Sequence, residues 1–366
     1  MIRVAFVAPS FGEAEGQGRV NLEIARRLIE RGARLDVYTS RLPTGGLPGA
    51  RVRLAPRPFP IELLNQLLFV AWATLAVARR RYDVVHADGA SLLSRADAVA
   101  AHMLHSVWRE IARGREPGLR GLYRSLSNAI NVRLERRAYR RARLVLANSE
   151  RTADDLVRAI GVARDRIRVI PLGVDAARFH LPSAAERANA RARLGAGPDE
   201  LVAVLVGAVE PRKGVPQAVE AFAGIEGAML VVVGDTRGGA IKREAAARRA
   251  RVRFEEWPAD PLASYFAADV LLHPAAYEPF GLSVLEGMAC GLPAAVSPSA
   301  GVAPVAAEAS IPVAPDPASI RRVIETLRDD PERRALMKKR AREIAAARTW
   351  DATAEAVLDA WTEVSG

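Results

Sequence analysis

With 366 residues, half of them hydrophobic, the chain is too long for one comfortable core and long enough for two domains of ordinary size. Lysine plus arginine (53) against aspartate plus glutamate (42) leaves a formal net charge of +11, which points to an anionic partner (membrane surface, nucleic acid or charged substrate) or to an Arg-rich genomic composition. The single cysteine, Cys290, excludes an intrachain disulfide framework, fits a reducing compartment and reads as a small packed side chain.

The chain opens on a strand, Ile2 to Ala8, with no charged-then-apolar leader before it, so a cytoplasmic protein is expected. A helix from about Arg19 to Arg31, Gly32 as its C-cap and a strand from Arg34 to Thr39 complete a first βαβ unit. Glycines 12, 16 and 18 in the intervening loop do not make G-x-G-x-x-G, so a nicotinamide cofactor is disfavoured. A basic, Pro-rich connection follows, Arg51 to Pro60. The apolar stretch Ile61 to Ala78 is broken by Glu62, Asn65 and Gln66. Its uninterrupted part, Leu67 to Ala78, falls short of the about 20 residues that span a bilayer, and predicts a buried or interfacial helix.

Asp83 to Gly89 reads as a short buried strand, and Ala96 to Ala101 as another that ends at His102, with His105 one helical turn further on. Strand C-terminal ends face the ligand crevice of open α/β sheets, and three of the five histidines, His86, His102 and His105, fall at these two ends. A lone histidine is more often structural than catalytic, so the position alone does not assign a role. Trp108 to Arg143 is a helical stretch holding eleven Arg against three Glu, with aromatic and apolar residues interleaved. Such a run is either a solvated face or a basic amphipathic surface for anionic lipid. A strand at Leu144–Ala147, an Asn148-Ser149 cap on a helix from Glu150 to Ile160, and a strand from Arg166 to Ile170 bring the chain to a boundary near residue 172.

The second half opens on a capping box, Ser183 with Glu186. The apolar strand Leu201–Gly207 implies a parallel sheet buried on both faces, and feeds the loop Ala208 to Gly214. In that loop Arg212 and Lys213 can neutralise a diphosphate, Lys as a point charge and Arg as a two-oxygen fork, although such a pair is often surface decoration. Strands at Met229–Val233, Val252–Phe254 and Val270–His273 follow. A Pro-rich loop then leads to a helix that opens near Phe280-Gly281 and closes around Cys290-Gly291. A helix start exposes unpaired N–H groups and favours bound phosphate, and Gly281 lets a ligand come close. Glu278 and Glu286 lie eight residues apart, roughly 12 Å along the axis if the span is helical, about the reach between the two sugars of a nucleotide-diphosphate-sugar. A strand at Ala294–Ser297 and helices over Ile320–Leu327, Pro331–Ala347 and Asp351–Val364 close the chain.

Glu278-Pro279-Phe280-Gly281-Leu282, Leu285-Glu286 and Met288-Ala289-Cys290-Gly291-Leu292-Pro293 together resemble the donor-site signature of the retaining GT-B glycosyltransferases of family 4. Gly16-Gln17-Gly18-Arg19-Val20, Pro171-Leu172-Gly173-Val174-Asp175 and the Glu210–Gly214 loop resemble the same family's first loop, interdomain linker and phosphate loop, so that the likeness covers nearly the whole chain. It implies an α/β, GT-B architecture of two doubly wound Rossmann-like domains facing across a cleft: residues 1–172 on the acceptor side, 173–347 for the nucleotide-sugar, and 348–366 as a helix returning to the first domain. It further implies a retaining, metal-independent transfer from a UDP- or GDP-linked sugar, with no cofactor, to a glycan or lipid-linked cell-envelope acceptor. Under it, Glu278 touches the donor sugar and Glu286 the ribose. Gly16, Arg212, Lys213, Phe280, Gly281 and Leu282 border the donor, and residues 255–258 lie where the base is held. His102 faces acceptor and donor sugar, while His105 competes for that place and His86 stands behind it. Glu15, Ala208 and Pro304 depart from the family pattern, at positions that usually carry Gly, Arg and Glu. No D-x-D occurs, which leaves a diphosphate-clamping metal without obvious ligands. A sugar-nucleotide epimerase of the same architecture is the main alternative. A nucleic-acid binder would explain the charge, but the chain has no recognised binding module and is only 5% aromatic.

Overall fold

The apolar runs form two sheets in which every pairing is parallel. The computed structural model describes residues 2–13, 16–111, 118–236, 239–256 and 260–365, with the backbone alone for Leu119, Arg120 and Pro211. Two compact units are present, Met1–Leu172 with Trp350–Gly366, and Gly173–Thr349.

The first unit runs β1 (Arg3–Val7), α1 (Gly16–Glu30), β2 (Arg34–Thr39), β3 (Arg51–Leu54), α2 (Glu62–Ala78), β4 (Val84–Asp88), β5 (Ala98–Ala101), α3 (His105–Ile111), α4 (Gly118–Arg141), β6 (Leu144–Ala147), α5 (Glu150–Asp155) and β7 (Ile167–Val169). Its strand order is β3-β2-β1-β4-β5-β6-β7. The order reverses between β1 and β4, and there the C-terminal strand ends open a crevice in any doubly wound sheet.

Several sequence expectations are corrected here. The Pro-rich connection from Arg51 carries β3, an edge strand paired to β2 through Asp36↔Arg51 to Thr39↔Leu54. The first helix begins at Gly16, not near Arg19. Trp108 to Arg143 comprises two helices, α3 and α4, the segment between them lying outside the described residues. The helix after Ser149 is α-helical only to Asp155 and continues as a π-helical turn over Leu156–Ile160 before Gly161 stops it. The Ser149 cap itself is present, its hydroxyl accepting from the Thr152 N–H at 3.1 Å.

The second unit runs α6 (Ala184–Leu194), β8 (Leu201–Val206), α7 (Val215–Phe222), β9 (Ala228–Val233), α8 (Ala240–Ala247), β10 (Val252–Glu255), α9 (Leu262–Ala267), β11 (Val270–His273), α10 (Leu282–Ala289), β12 (Ala294–Val296), α11 (Ala303–Ala306), β13 (Ser310–Pro312), α12 (Pro317–Asp329) and α13 (Pro331–Ala346). Its order, β10-β9-β8-β11-β12-β13, again reverses beside the first strand, between β8 and β11. The side chains of β8, β9 and β11 are almost all sealed, as a parallel sheet covered on both faces requires. Leu205, Phe222, Leu230, Leu272 and Ile324 are part of the core that joins this sheet to its helices. The last helix, α14 (Trp350–Val364), belongs to the first unit, where it packs on α1.

Candidate functional site

Each sheet places polar side chains at its own switch point. In the second unit, β8 ends at Val206 and the chain turns through a 3₁₀ segment, Pro211–Lys213, before α7. Beside it β11 ends at His273, and the following loop carries Glu278. Backbone bonds fix that loop: Gly301 N–H donates to Glu278 O at 2.9 Å and Val302 N–H to Phe280 O at 2.8 Å, while Ala276 N–H donates to Arg212 O at 2.8 Å. The last of these ties the cationic loop to the acidic one.

The side chains then converge. Glu278 Oε2 accepts from Lys213 Nζ and from Arg212 Nη1, the latter at 3.2 Å, and Arg212 Nε donates to Glu210 at 2.9 Å. Burial alone would push the Glu278 carboxyl up; the Lys213 and then the Arg212 charges outweigh it and hold the pKa at about 2. His273 Nε2 lies 3.8 Å from the same Oε2 and has no hydrogen-bond partner. Burial first, and the Lys213 charge after it, lower the His273 pKa to about 4, so the ring is neutral at pH 7. Two cations, a carboxylate and a neutral imidazole thus share one buried corner.

Gly281 is the N-cap of α10, with φ +111°. A Cβ there would stand 3.0 Å from Val302 Cγ1 and 3.6 Å from His273 Nε2, so both backbone and space require glycine. Leu282 is the first helical residue and is half-buried, whereas Phe280 is buried. Glu278 therefore precedes the helix, and the helical rise between Glu278 and Glu286 inferred from the sequence does not apply. Glu286 is 5% exposed, and its carboxylate accepts from Tyr265 Oη at 2.9 Å. It belongs to the inner face of α10. Of the segment expected to hold the base, Trp257 and Pro258 lie outside the described residues; Glu256 accepts from Thr236 Oγ1 at 2.5 Å and pairs with Lys242 at 2.6 Å.

In the first unit, a pocket opens at the β1/β4 switch point, lined among others by Gln17, Asp88, His102, His105 and Glu135. Asp88, at the end of β4, is 2% exposed and accepts from Gln17 Nε2 (2.8 Å to each oxygen) and Asn21 Nδ2 (2.6 Å). His102 Nε2 lies 3.5 Å from Asp88 Oδ1 with no hydrogen-bond partner. His105 differs: its Nδ1 lies 2.7 Å from Glu135 Oε1, and the buried Glu135 carboxylate also accepts the His105 and Ser106 N–H groups that open α3. This carboxylate is a side-chain cap supplied from α4.

His86 is not in the pocket. It is buried behind it against Phe6, with ring centroids 4.6 Å apart, and its Nδ1 accepts from Trp361 Nε1 at 3.0 Å. Burial lowers its pKa to about 3. His86 thus stands in the core behind the pocket and not among its lining residues. Gly16 opens α1 into empty space. Gly18 is the crowded glycine, since a Cβ on it would stand 2.6 Å from Gly12 O. Glu15 lies outside the described residues.

Asp88, Asn21, Glu210 and His273 were not singled out from the sequence. Asp88 and His273 carry a signal in retrospect, because each is the last residue of a strand that borders a switch point.

Residues 14–178 match Glycosyltransferase Family 4 and residues 186–344 match Glycosyl transferases group 1. The D-inositol 3-phosphate glycosyltransferase of Xylanimonas cellulosilytica is 30% identical, over 98% of this chain and 94% of its own length. WaaG, a glycosyltransferase involved in lipopolysaccharide biosynthesis, superposes with a TM-score of 0.81 at 22% identity, covering 97% of this chain and 98% of its own. Anabaena Alr3699/HepE, solved in complex with UDP-glucose, gives 0.76 at 20% identity, covering 99% of this chain and all of its own.

Proposed function

This chain belongs to the glycosyltransferases of family 4, with the GT-B fold, and we propose that it moves a sugar from a UDP- or GDP-linked donor to an acceptor hydroxyl with retention of configuration. The observation that carries the donor side is the Arg212–Lys213–Glu278 corner at the β8/β11 switch point. The two cations suit a leaving diphosphate, whose charge grows as the glycosidic bond breaks. Glu278 then takes hydroxyls of the sugar, and Glu286 with Tyr265 the ribose. Attack comes from the face that the diphosphate leaves, which preserves the anomeric configuration. The UDP-glucose bound by the HepE neighbour supports a uridine donor, at the level of shared fold.

On the acceptor side, His102 and Asp88 provide an imidazole and a carboxylate for a hydroxyl in the first-unit pocket. The acceptor reading carried furthest is a lipid-linked or other cell-envelope glycan. Phe59, Ile61 and Leu64 are exposed beside the pocket-lining Glu62 and Asn65, and Leu122, Tyr123 and Leu126 are exposed on α4. The Leu63 N–H donates to Tyr123 Oη at 3.4 Å, which brings the two groups together. Exposed apolar side chains grouped in this way mark a site for lipid or protein. An inositol phosphate acceptor is the second reading, favoured by the name of the Xylanimonas relative.

A panel of UDP- and GDP-sugars, each with inositol 3-phosphate or a lipid-linked glycan, tests both, with nucleoside diphosphate release and the anomeric proton of the product as readouts. An acceptor-dependent product of retained configuration, formed equally in EDTA, is expected. Altered free nucleotide-sugar without acceptor would instead indicate an epimerase, and inverted product would remove the retaining mechanism.

A further inference from the structure

The corner around Glu278 contains a conflict. The two cations suited to a diphosphate, Lys213 and Arg212, are both engaged by Glu278, and each is only about one-seventh exposed. A diphosphate that takes these cations leaves a buried carboxylate short of its partners, which is costly. One polar atom nearby stands ready. His273 Nε2 is buried, lacks a hydrogen-bond partner, and lies 3.8 Å from Glu278 Oε2, slightly beyond bonding distance. Buried polar atoms in folded proteins nearly always have partners, so an orphan facing a ligand site points to an interaction formed on binding. Gly281 keeps the space between open, since its missing Cβ would lie 3.6 Å from His273 Nε2 and 3.5 Å from Glu278 Cγ.

We propose that His273 is a positioning residue of the donor site: when the diphosphate draws Lys213 and Arg212 onto its own oxygens, the Nε2–H of His273 takes over Glu278 and keeps that carboxylate aimed at the donor sugar. The inference rests on the donor reading above and assigns a residue to it. A shift of less than 1 Å brings the pair within hydrogen-bond distance. A neutral imidazole suits the task, because it donates one bond without adding a third cation that would hold Glu278 too firmly to bind hydroxyls.

Calorimetry on the full chain with UDP and UDP-glucose, and with GDP and GDP-mannose, tests this in wild type, His273→Leu and His273→Gln. For the pair that binds, His273→Leu should lower nucleotide-sugar affinity about tenfold, the scale of one hydrogen bond to a charged group, while the bare diphosphate, which leaves the sugar's place to water that can solvate Glu278, changes less than about twofold. Gln, which can donate, should restore most of the loss. Equal losses for sugar-bearing and bare nucleotide would make His273 merely structural and overturn the proposal, as would no loss for either. Nitrogen-15 imidazole spectra of the wild-type protein give a readout that needs no variant: added nucleotide-sugar should move one buried histidine Nε2 resonance toward that of a hydrogen-bonded donor, and an unmoved spectrum at saturation overturns the proposal. Absence of binding by all four ligands would sink the donor reading itself, a different failure from binding that ignores His273.

Discussion

Glu278 and Glu286 are one motif in the sequence and two environments in the structure. Glu278 sits among cations, ahead of α10, whereas Glu286 is sealed on the inner face of the helix with Tyr265 as a partner. Replacement of Glu286 by Ala removes both its bond to Tyr265 and its proposed hold on the ribose. Nucleoside diphosphate affinity should fall by about 1.5–3 kcal/mol, the scale of a hydrogen bond to a charged group, and calorimetry with unchanged affinity would take Glu286 out of the site. Tyr265→Phe should give a smaller loss. The motif was legible because its chemistry is written in consecutive residues: Glu278, Gly281 and Glu286 surround a helix start, and Arg212-Lys213 follow an apolar strand. Asp88 and His273 were not, because a lone acid or histidine at a strand end acquires meaning only when the sheet order shows which strand ends adjoin the switch point.

At the scale of elements, α14 shows how a terminal helix is held. Trp361 is fully buried, meets Phe6 of β1 edge-on with centroids 6.0 Å apart, and donates to His86 of β4. That bond needs a neutral imidazole. The pKa of His86 falls from 6.5 to about 3 on folding, chiefly through burial, so below pH 6.5 the unfolded chain takes up a proton that the folded chain refuses. Stability is therefore complete above about pH 6.5 and drains away as the pH falls toward 3. Glu278 adds to this in the same direction at lower pH, since its pKa falls from 4.5 to about 2. Urea unfolding between pH 7.5 and 4.5 should show decreasing stability, with a shallower decline in His86→Gln, which can still accept from Trp361. A wild-type curve flat over that range would contradict the burial argument. The sequence announced α14 by its apolar periodicity but hid β3, and the reason is physical. β3 is an edge strand whose four residues are all exposed or half-buried, so it has neither the apolar run of an inner strand nor a sealed face to alternate with. The π-turn after α5 was hidden for another reason, because hydrophobic periodicity does not distinguish one added residue in a single turn.

For the whole molecule, the charge of +11 and the exposed apolar group on the first unit raise the question of a membrane surface. Among the described residues no helix is long and apolar enough to cross a bilayer. The geometry refines the expectation from the Arg-rich stretch. Among the described side chains of α4, Val132, Glu135 and Tyr139 are buried, while Leu122 (68% exposed) and Leu126 (55%) point outward. Arg133 and Arg136, both exposed, fall within about 40° of Leu122 around the helix by its 3.6-residue turn. Apolar anchors and cations thus share one face, the arrangement suited to anionic lipid. Each arginine near such a surface adds about 1 kcal/mol, so four supply several, enough for reversible attachment. The attraction must fade with salt, because the screening length shrinks to about 3 Å near 1 M. Co-sedimentation with vesicles containing phosphatidylglycerol should recover the protein at 50 mM salt and lose it near 1 M, with little recovery on neutral vesicles. Arg133→Glu with Arg136→Glu should abolish the dependence on lipid charge, and Leu122→Ser with Leu126→Ser should weaken binding at every salt concentration. Neither pair touches the Arg212–Lys213–Glu278 corner, so nucleotide affinity should stay at the wild-type value in both. Equal recovery on neutral and anionic vesicles would refute the membrane contact and leave the transferase assignment standing.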